Sequence, residues 1–308
     1  KCNLIVSFHP ILFKGLKKIT GASYVERVVQ KAIKNDIHIF AIHTALDNSF
    51  EGVNAQICNT LELVHKKILI PQKQTIKKLT TYAPSQAVDG IKKALFSIGG
   101  GTIGNYQECS FISQGTATFK GNEHSNPVIG SKGVTQTTSE VMISMTFAKH
   151  LEKNIISALH GAHPYEEVAY EITTLDNNNQ HIGMGMIAEL ENPMSEDAFL
   201  VYLKEKMNTK CVRHSKKINK AIKKVAVLGG SGSFAINDAI AQGADVYVTS
   251  DLKYHDFYTA ENKILLADIG HYESEQYTKE LLHTYLTKKI TNFAVVLSQI
   301  NTNPISYF

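Results

Sequence analysis

The feature that most constrains this chain is a series of short, uninterrupted apolar runs, each followed by a stretch with helical periodicity. CNLIVSF at 2–8, IHIFAI at 37–42, KVAVL at 224–228, DVYVT at 245–249 and ILLAD at 264–268 carry apolar residues at successive positions. A strand that is apolar on both faces needs cover on both, which favours a mostly parallel sheet with helices packed against it. The intervening segments 24–35, 52–63, 195–207, 235–242 and 271–286 show the helical repeat, and Phe293 to Leu297 reads as a last strand. The expected fold class is α/β, with two related α/β lobes that form a cleft.

The texture changes near Pro71. A strand at 75–82, the helix-like SQAVDGIKKALFSIG after Pro84, the alternating runs CSFISQGTATFKG and SEVMISMTFAK, the helix-like KNIISALHG and the strand HPYEEVAYEITTL follow in order. This is the βαββαβ order of a ferredoxin-like α+β domain. The expected division is 1–74 as an N-terminal α/β lobe, 75–178 as an insert, and 179–308 as a C-terminal lobe, with LDNNNQ as the exit linker.

A chain of 308 residues suits two or three such units. No apolar run approaches the ~18 residues of a membrane span. The opening KCNLIVSFHP reads as a core strand, not a signal peptide, so the natural start of the chain is expected to lie upstream. The four cysteines, Cys2, Cys58, Cys109 and Cys211, contain no Cys-x-x-Cys pair and read as buried free thiols, which points to the cytosol. The net charge is only +4, and the basic run Lys216, Lys217, Lys220, Lys223 and Lys224 reads as a solvated face, so nucleic acid is not the expected partner.

Side chains suited to metals stand at three strand ends: His9 before Pro10, His43 and Asp47 after IFAI, and His271 with Glu275 after ILLADI. Open parallel sheets bind ligands beyond the carboxyl ends of their strands. If 271–286 opens as a helix, the four-residue spacing puts His271 and Glu275 on one face of its first turn. A set of two histidines, an aspartate and a glutamate suits Zn, Fe or Mn, and its carboxylates can bridge two ions. Each element taken alone is also ordinary: a strand-end histidine is commonly a satisfied polar group, and an acid near a helix start complements the dipole. Three further motifs carry two readings each. GGSGSF at 229–234 is a tight turn or a phosphate cradle. His163, Glu166 and Glu167 in HPYEE are strand-leading polar groups or a metal site of their own. Asp251 is an acid near the metals or a helix N-cap.

LIVSFHPILFKGLKKI, AIHTALDNSFEGVNAQI, VAVLGGSGSF, DVYVTSDLKYHDF and LLADIGHYESE, taken together in this order, resemble the family of type 2 GTP cyclohydrolase I homologues. The middle segment, with ALFSIGGGTIGNYQECSF, GSKG and HPYEE, resembles the PII-like insert of its longer members. The resemblance spans essentially the whole chain. It implies a dinuclear centre of divalent ions in a toroidal homohexamer, with His9, Asp47, His271 and Glu275 as ligands and Asp47 and Glu275 as bridges. It further implies that His43 stands beside the metals and that Lys253 and His255 line the same cleft. One departure stands out: Phe8-His9 replaces a pair of adjacent histidines, which implies a second ion that is weaker, more hydrated, or held through His43.

Two functional readings follow. One is a metal-dependent hydrolase acting on a nucleotide or related small molecule, with Glu275, His43 and His255 as proton-transfer candidates. The other is a non-enzymatic metal-binding or regulatory scaffold whose insert senses a ligand or partner. Turnover lost on Asp47→Ala discriminates them.

Overall fold

The first two apolar runs become β1 (Leu4–Ser7) and β2 (His38–Ala41), joined through α1 (Tyr24–Lys34). They pair in parallel, from Leu4 opposite His38 to Ser7 opposite Ala41, as a crossover through a helix requires. α1 begins where Ser23 Oγ accepts the Glu26 N–H. The Glu26 carboxylate reaches back to accept from the N–H groups of Thr20, Gly21 and Ala22 and from the Thr20 hydroxyl. The first bond satisfies a donor that a helix start leaves unpaired, and the others fix the chain that leads into it. The short α2 (Thr44–Asp47), α3 (Val53–Thr60) and β3 (Val64–Pro71) follow. This computed structural model describes residues 2–308, so Lys1, which entered the reading of the chain's opening, lies outside the described residues.

The expected two-sided cover is absent from β1 and β2, where Leu4, Ile5 and Phe40 are 52%, 46% and 57% exposed. Two four-residue strands present a face that one helix cannot close. Val29 and Ile33 of α1 and Ile39 of β2, with Ile11 and Leu12, line an open apolar cavity of about 300 Å³.

The chain forms two units, Lys1–Pro71 with Gln180–Phe308, and Gln72–Asn179. The second contains β4 (Ile76–Ala83), α4 (Val88–Ser97), β5 (Phe111–Phe119), β6 (Gln136–Ala148), α5 (Glu152–Ala162) and β7 (Tyr170–Leu175). Its sheet runs β5-β6-β4-β7, antiparallel at every pairing. Leu79, Ile143 and Phe147 from the sheet and Ile91, Leu95, Ile155 and Leu159 from the helices make its buried core.

The first unit resumes with β8 (Gly183–Met194), α6 (Glu196–Lys206), β9 (Arg213–His214), β10 (Ile222–Ser231), α7 (Ile236–Ala241), β11 (Val246–Ser250), β12 (Leu265–Asp268), α8 (His271–Glu275) and α9 (Thr278–Lys289). The sheet order is β3-β8-β10-β11-β12-β9. β10, β11 and β12 are parallel, whereas β8 and β9 run antiparallel to their neighbours. Here the two-sided apolar strands find their cover. Val225, Val227, Val246, Val248, Leu265 and Ala267 enter one core, and the alternating Ala226, Leu228, Tyr247 and Leu266 enter the other. β3 pairs with β8, so residues from either side of the insert share one sheet.

Three expectations are corrected. The helix over 271–286 is two helices. Between them the Gln276 amide donates to the carbonyls of Met207 and Glu273, and the Tyr277 hydroxyl donates to that of Lys206. Phe293 to Leu297 forms no strand: among the described residues it joins no ladder, and Phe293 and Val296 are exposed. All four cysteines are free, but only Cys58 is buried: Cys2 and Cys211 are exposed and Cys109 is half-buried.

Candidate metal centre

The carboxyl ends of parallel strands carry the site. His9 follows β1, His43 and Asp47 follow β2, Ser231 closes β10, Asp251 follows β11, and His271 follows β12. α8 begins at His271, so one turn of helix stacks Glu275 over it.

Both imidazoles converge on a single oxygen. His9 Nε2 lies 2.7 Å from Glu275 Oε2, and His271 Nε2 lies 3.3 Å from the same atom. The two rings stand 5.4 Å apart, centroid to centroid. Among the described residues, His9, His271 and Glu275 each bring one ligand atom to within 4.8 Å of the others, a set that could hold a metal ion. Hydrogen bonding to Glu275 raises the His271 pKa to about 9 against the opposing effect of burial, with Asp251 adding to the rise. Burial pushes the Glu275 carboxyl upward, but the bonds from His271 and His9 outweigh it and leave the pKa below the ordinary value.

Asp47 is set differently. Its Oδ1 is buried without a hydrogen-bond partner among the described residues. Burial, and then the charge of Glu275, raise its pKa to about 7, while His9 and His271 pull the other way. A buried carboxylate oxygen with no donor, beside a second carboxylate, is a place that a cation would satisfy. The set of His9, His271 and Glu275 therefore fits a metal ion on the chemistry of its own residues, while Asp47 is not among the three whose ligand atoms come together. Asn54, buried, ties the arrangement together: its amide donates to the Asp47 carbonyl at 3.1 Å, and its oxygen accepts the Gly229 N–H at 2.9 Å.

The three glycine N–H groups of GGSGSF are already bonded within the protein. The Gly229 and Gly230 N–H groups are taken by Asn54 and by Ser274 Oγ, and that of Gly232 by the Ser250 carbonyl. Gly230 has φ 71°, and a Cβ there would lie 2.5 Å from Glu275 Oε1. The motif is glycine-rich at this point because the Glu275 carboxylate occupies the space of a side chain.

His43 sits beside the cluster, its ring 5.2 Å from that of His9, at a φ of 41° that non-glycine residues rarely adopt. Phe8 meets His9 and His43 edge-on at 4.8 and 6.0 Å and packs against the core, offering no lone pair. His255 has Tyr254 and Tyr258 as ring neighbours, and no hydrogen bond joins it to His9, Asp47, His271 or Glu275 among the described residues. Lys253 caps the short 3₁₀ turn Tyr254–Ala260, its N–H donating to Asp256. Asp251 is therefore not the cap. Its Oδ2 accepts from Ser231 Oγ and, at 2.6 Å, from His271 Nδ1.

His163 has no nitrogen left for a metal. Its Nε2 donates to the Tyr82 carbonyl, and its Nδ1 accepts the Tyr165 N–H. Glu166 Oε1 accepts the Asn126 N–H at 2.6 Å. Asn54, Ser231 and Ser274 carry no signal in the sequence, because a small polar residue gives no hint of a partner so distant in the chain.

With this geometry in view, the comparisons with known proteins are direct. The model of the Duf34/NIF3 (NGG1p interacting factor 3) family matches residues 1–304. The chain belongs to the DUF34/NIF3 family. A protein of Bacillus subtilis (strain 168), named GTP cyclohydrolase 1 type 2 homolog, is 36% identical over 99% of this chain and 83% of its own length. One of the same name from Halalkalibacterium halodurans is 35% identical, again over 99% and 83%. The crystal structure of a Bacillus cereus protein related to NIF3 superposes with a TM-score of 0.85 at 35% identity, covering 99% of this chain and 83% of that one. A Staphylococcus aureus protein of known structure follows at 0.76 and 32%, covering 99% and 82%. Among the described residues, no helix is long and apolar enough to cross a membrane.

Proposed function

We propose that this protein holds two divalent metal ions, of Zn, Fe or Mn, on His9, Asp47, His271 and Glu275, and acts as a metal-dependent hydrolase on a nucleotide or related small molecule. The observation that carries this reading is the convergence of His9 Nε2 and His271 Nε2 on one oxygen of Glu275. The unpartnered buried oxygen of Asp47 supports it from the other side. A pair of divalent ions bound there supplies Lewis-acid activation of water and of the bond under attack.

The protein's own groups divide the remaining work. Asp47 and Glu275 are the carboxylates able to bridge, and His9 and His271 are the imidazole ligands. Phe8 supplies no donor, so a second ion depends on the carboxylates and on His43. His43, Glu275 and His255 are the proton-transfer groups, with His43 best placed by its contact with His9. The name borne by the relatives, GTP cyclohydrolase 1 type 2 homolog, makes GTP the first substrate to try. In this reading residues 1–74 and 179–308 form the metal-binding lobes and 75–178 is a PII-like insert. The chain works in the cytosol as a homo-oligomer of toroidal hexamer type, with neither membrane nor nucleic acid as partner.

Elemental analysis of wild type and Asp47→Ala tests the site, and a screen of GTP, phosphate esters and cyclic amides on the loaded protein tests the reaction. The expected result is two ions per chain, lost in the variant, with product formed only by the wild type. One ion per chain would remove the two-metal reaction. A protein that takes up no metal on reconstitution would overturn the ligand assignment.

A further inference from the structure

We propose that Asp251 and Ser231 are positioning residues that fix the His271 imidazole with Nε2 turned toward the metal position; this rests on the metal-centre reading above. Ser231, Asp251 and His271 stand at the carboxyl ends of β10, β11 and β12, three neighbouring parallel strands. They form one chain of contacts: Ser231 Oγ donates to Asp251 Oδ2, and the same oxygen faces His271 Nδ1 at 2.6 Å. A carboxylate oxygen accepts only, so Nδ1 carries hydrogen toward Asp251, and Nε2, facing Glu275 Oε2 at 3.3 Å, carries one in the metal-free protein. A metal ion bound here would draw on the Nε2 lone pair, because Nδ1 stays bonded to Asp251. A metal-binding histidine held in this way by a carboxylate on its far nitrogen has its tautomer and ring orientation set in advance.

The backbone shows that the position of Asp251 is maintained by its surroundings. Asp251 has φ 57°, the left-handed region that L-residues avoid. The next residue is clamped at both polar groups. The Leu252 N–H donates to Asp268 Oδ2 at 2.9 Å, and Arg213 donates to the Leu252 carbonyl at 2.9 Å while pairing with the same Asp268 oxygen. Asp268 is buried at the end of β12, two residues before the turn into α8. The strained residue and the helix that carries His271 are thus anchored to one another. Two other roles for Asp251 fail on geometry. It does not cap the following turn, which begins at Lys253. Nor is the group a nucleophile triad, since the serine hydroxyl faces the carboxylate and not the imidazole.

The test measures Zn(II) affinity by competition with a chromophoric chelator, and the visible absorption of the Co(II)-loaded protein. The proteins compared are wild type, Asp251→Ala, Asp251→Asn, Ser231→Ala and His271→Ala, with the Tm of each metal-free form. We expect Asp251→Ala to bind Zn(II) about 10–100-fold more weakly and to change the Co(II) spectrum. Asp251→Asn, which keeps the shape and an acceptor, should fall between it and wild type, and Ser231→Ala should show a smaller loss in the same direction. Asp251→Asn decides the matter if Asp251→Ala does not fold. A folded Asp251 variant with wild-type affinity and an unchanged Co(II) spectrum would overturn the positioning role, even if its Tm is lowered. Failure of the wild type itself to bind Zn(II) or Co(II) would instead overturn the metal centre, and the positioning role with it.

Discussion

Replacing Gly230 by alanine puts a methyl group where the structure has a carboxylate. Two separate terms set the size of the effect. The residue has φ 71°, and an L-residue in the left-handed region costs about 1–2 kcal/mol. The new Cβ would stand 2.5 Å from Glu275 Oε1, closer than carbon and oxygen can approach, so Glu275 must swing away. Its Oε2 is held by His9 at 2.7 Å. Losing one hydrogen bond of this charged kind costs about 1.5–3 kcal/mol. Gly230→Ala should therefore lose roughly 2.5–5 kcal/mol of stability, the sum of those terms. Urea unfolding of the metal-free protein measures this, and metal content after reconstitution reads the displacement of Glu275 independently. A variant within about 0.5 kcal/mol of wild type, the range of an unremarkable surface change, and with full metal content would refute the argument that the glycine exists to admit the carboxylate.

Two further substitutions probe the same unit. Phe8→His places a second imidazole beside His9 and His43, and we expect the second ion to be held more tightly against a competing chelator; an unchanged affinity for that ion would show that the Phe8 position does not limit it. Glu26, whose hydrogen bonds with the Thr20 hydroxyl and backbone N–H hold its pKa at about 2 against an ordinary 4.5, stabilises the folded state above pH 4.5 and loses that contribution as pH falls through 2. The stability gap between wild type and Glu26→Gln, followed by denaturant midpoints, should be constant above pH 4.5 and close as pH drops toward 2. A gap that widens on acidification would contradict this role.

Much of the metal cluster was legible in the chain, because strand-end chemistry depends on local order. An apolar run ending in His-Pro, another ending in His-x-x-x-Asp, and a third ending in His-x-x-x-Glu can be read without knowing which strands are neighbours. The doubly apolar runs at 224–228, 245–249 and 264–268 likewise announced a covered, mostly parallel sheet, since a strand apolar on both faces needs cover on both. β3 and β8 were harder to see. Lysines interrupt VHKKILIP, and glycine and methionine dominate GMGMIAELENPM, so neither shows a clear strand pattern, and both owe their form to long-range pairing with each other and with β10.

Sequence alone thus determined the α/β character, the family and the side chains at the strand ends, all of which are encoded in residues close together in the chain. Only the tertiary structure decided which of those side chains meet. It brought His9 to Glu275 across 266 positions. It made Gly230 room for a carboxylate, and turned Asp251 from a candidate cap into the partner of His271. It also left Phe293 to Leu297 outside any ladder among the described residues. The physical reason is common to all of these: propensity is a property of a segment, whereas a hydrogen bond, a steric limit or a ladder needs a second group, and the fold alone chooses that group.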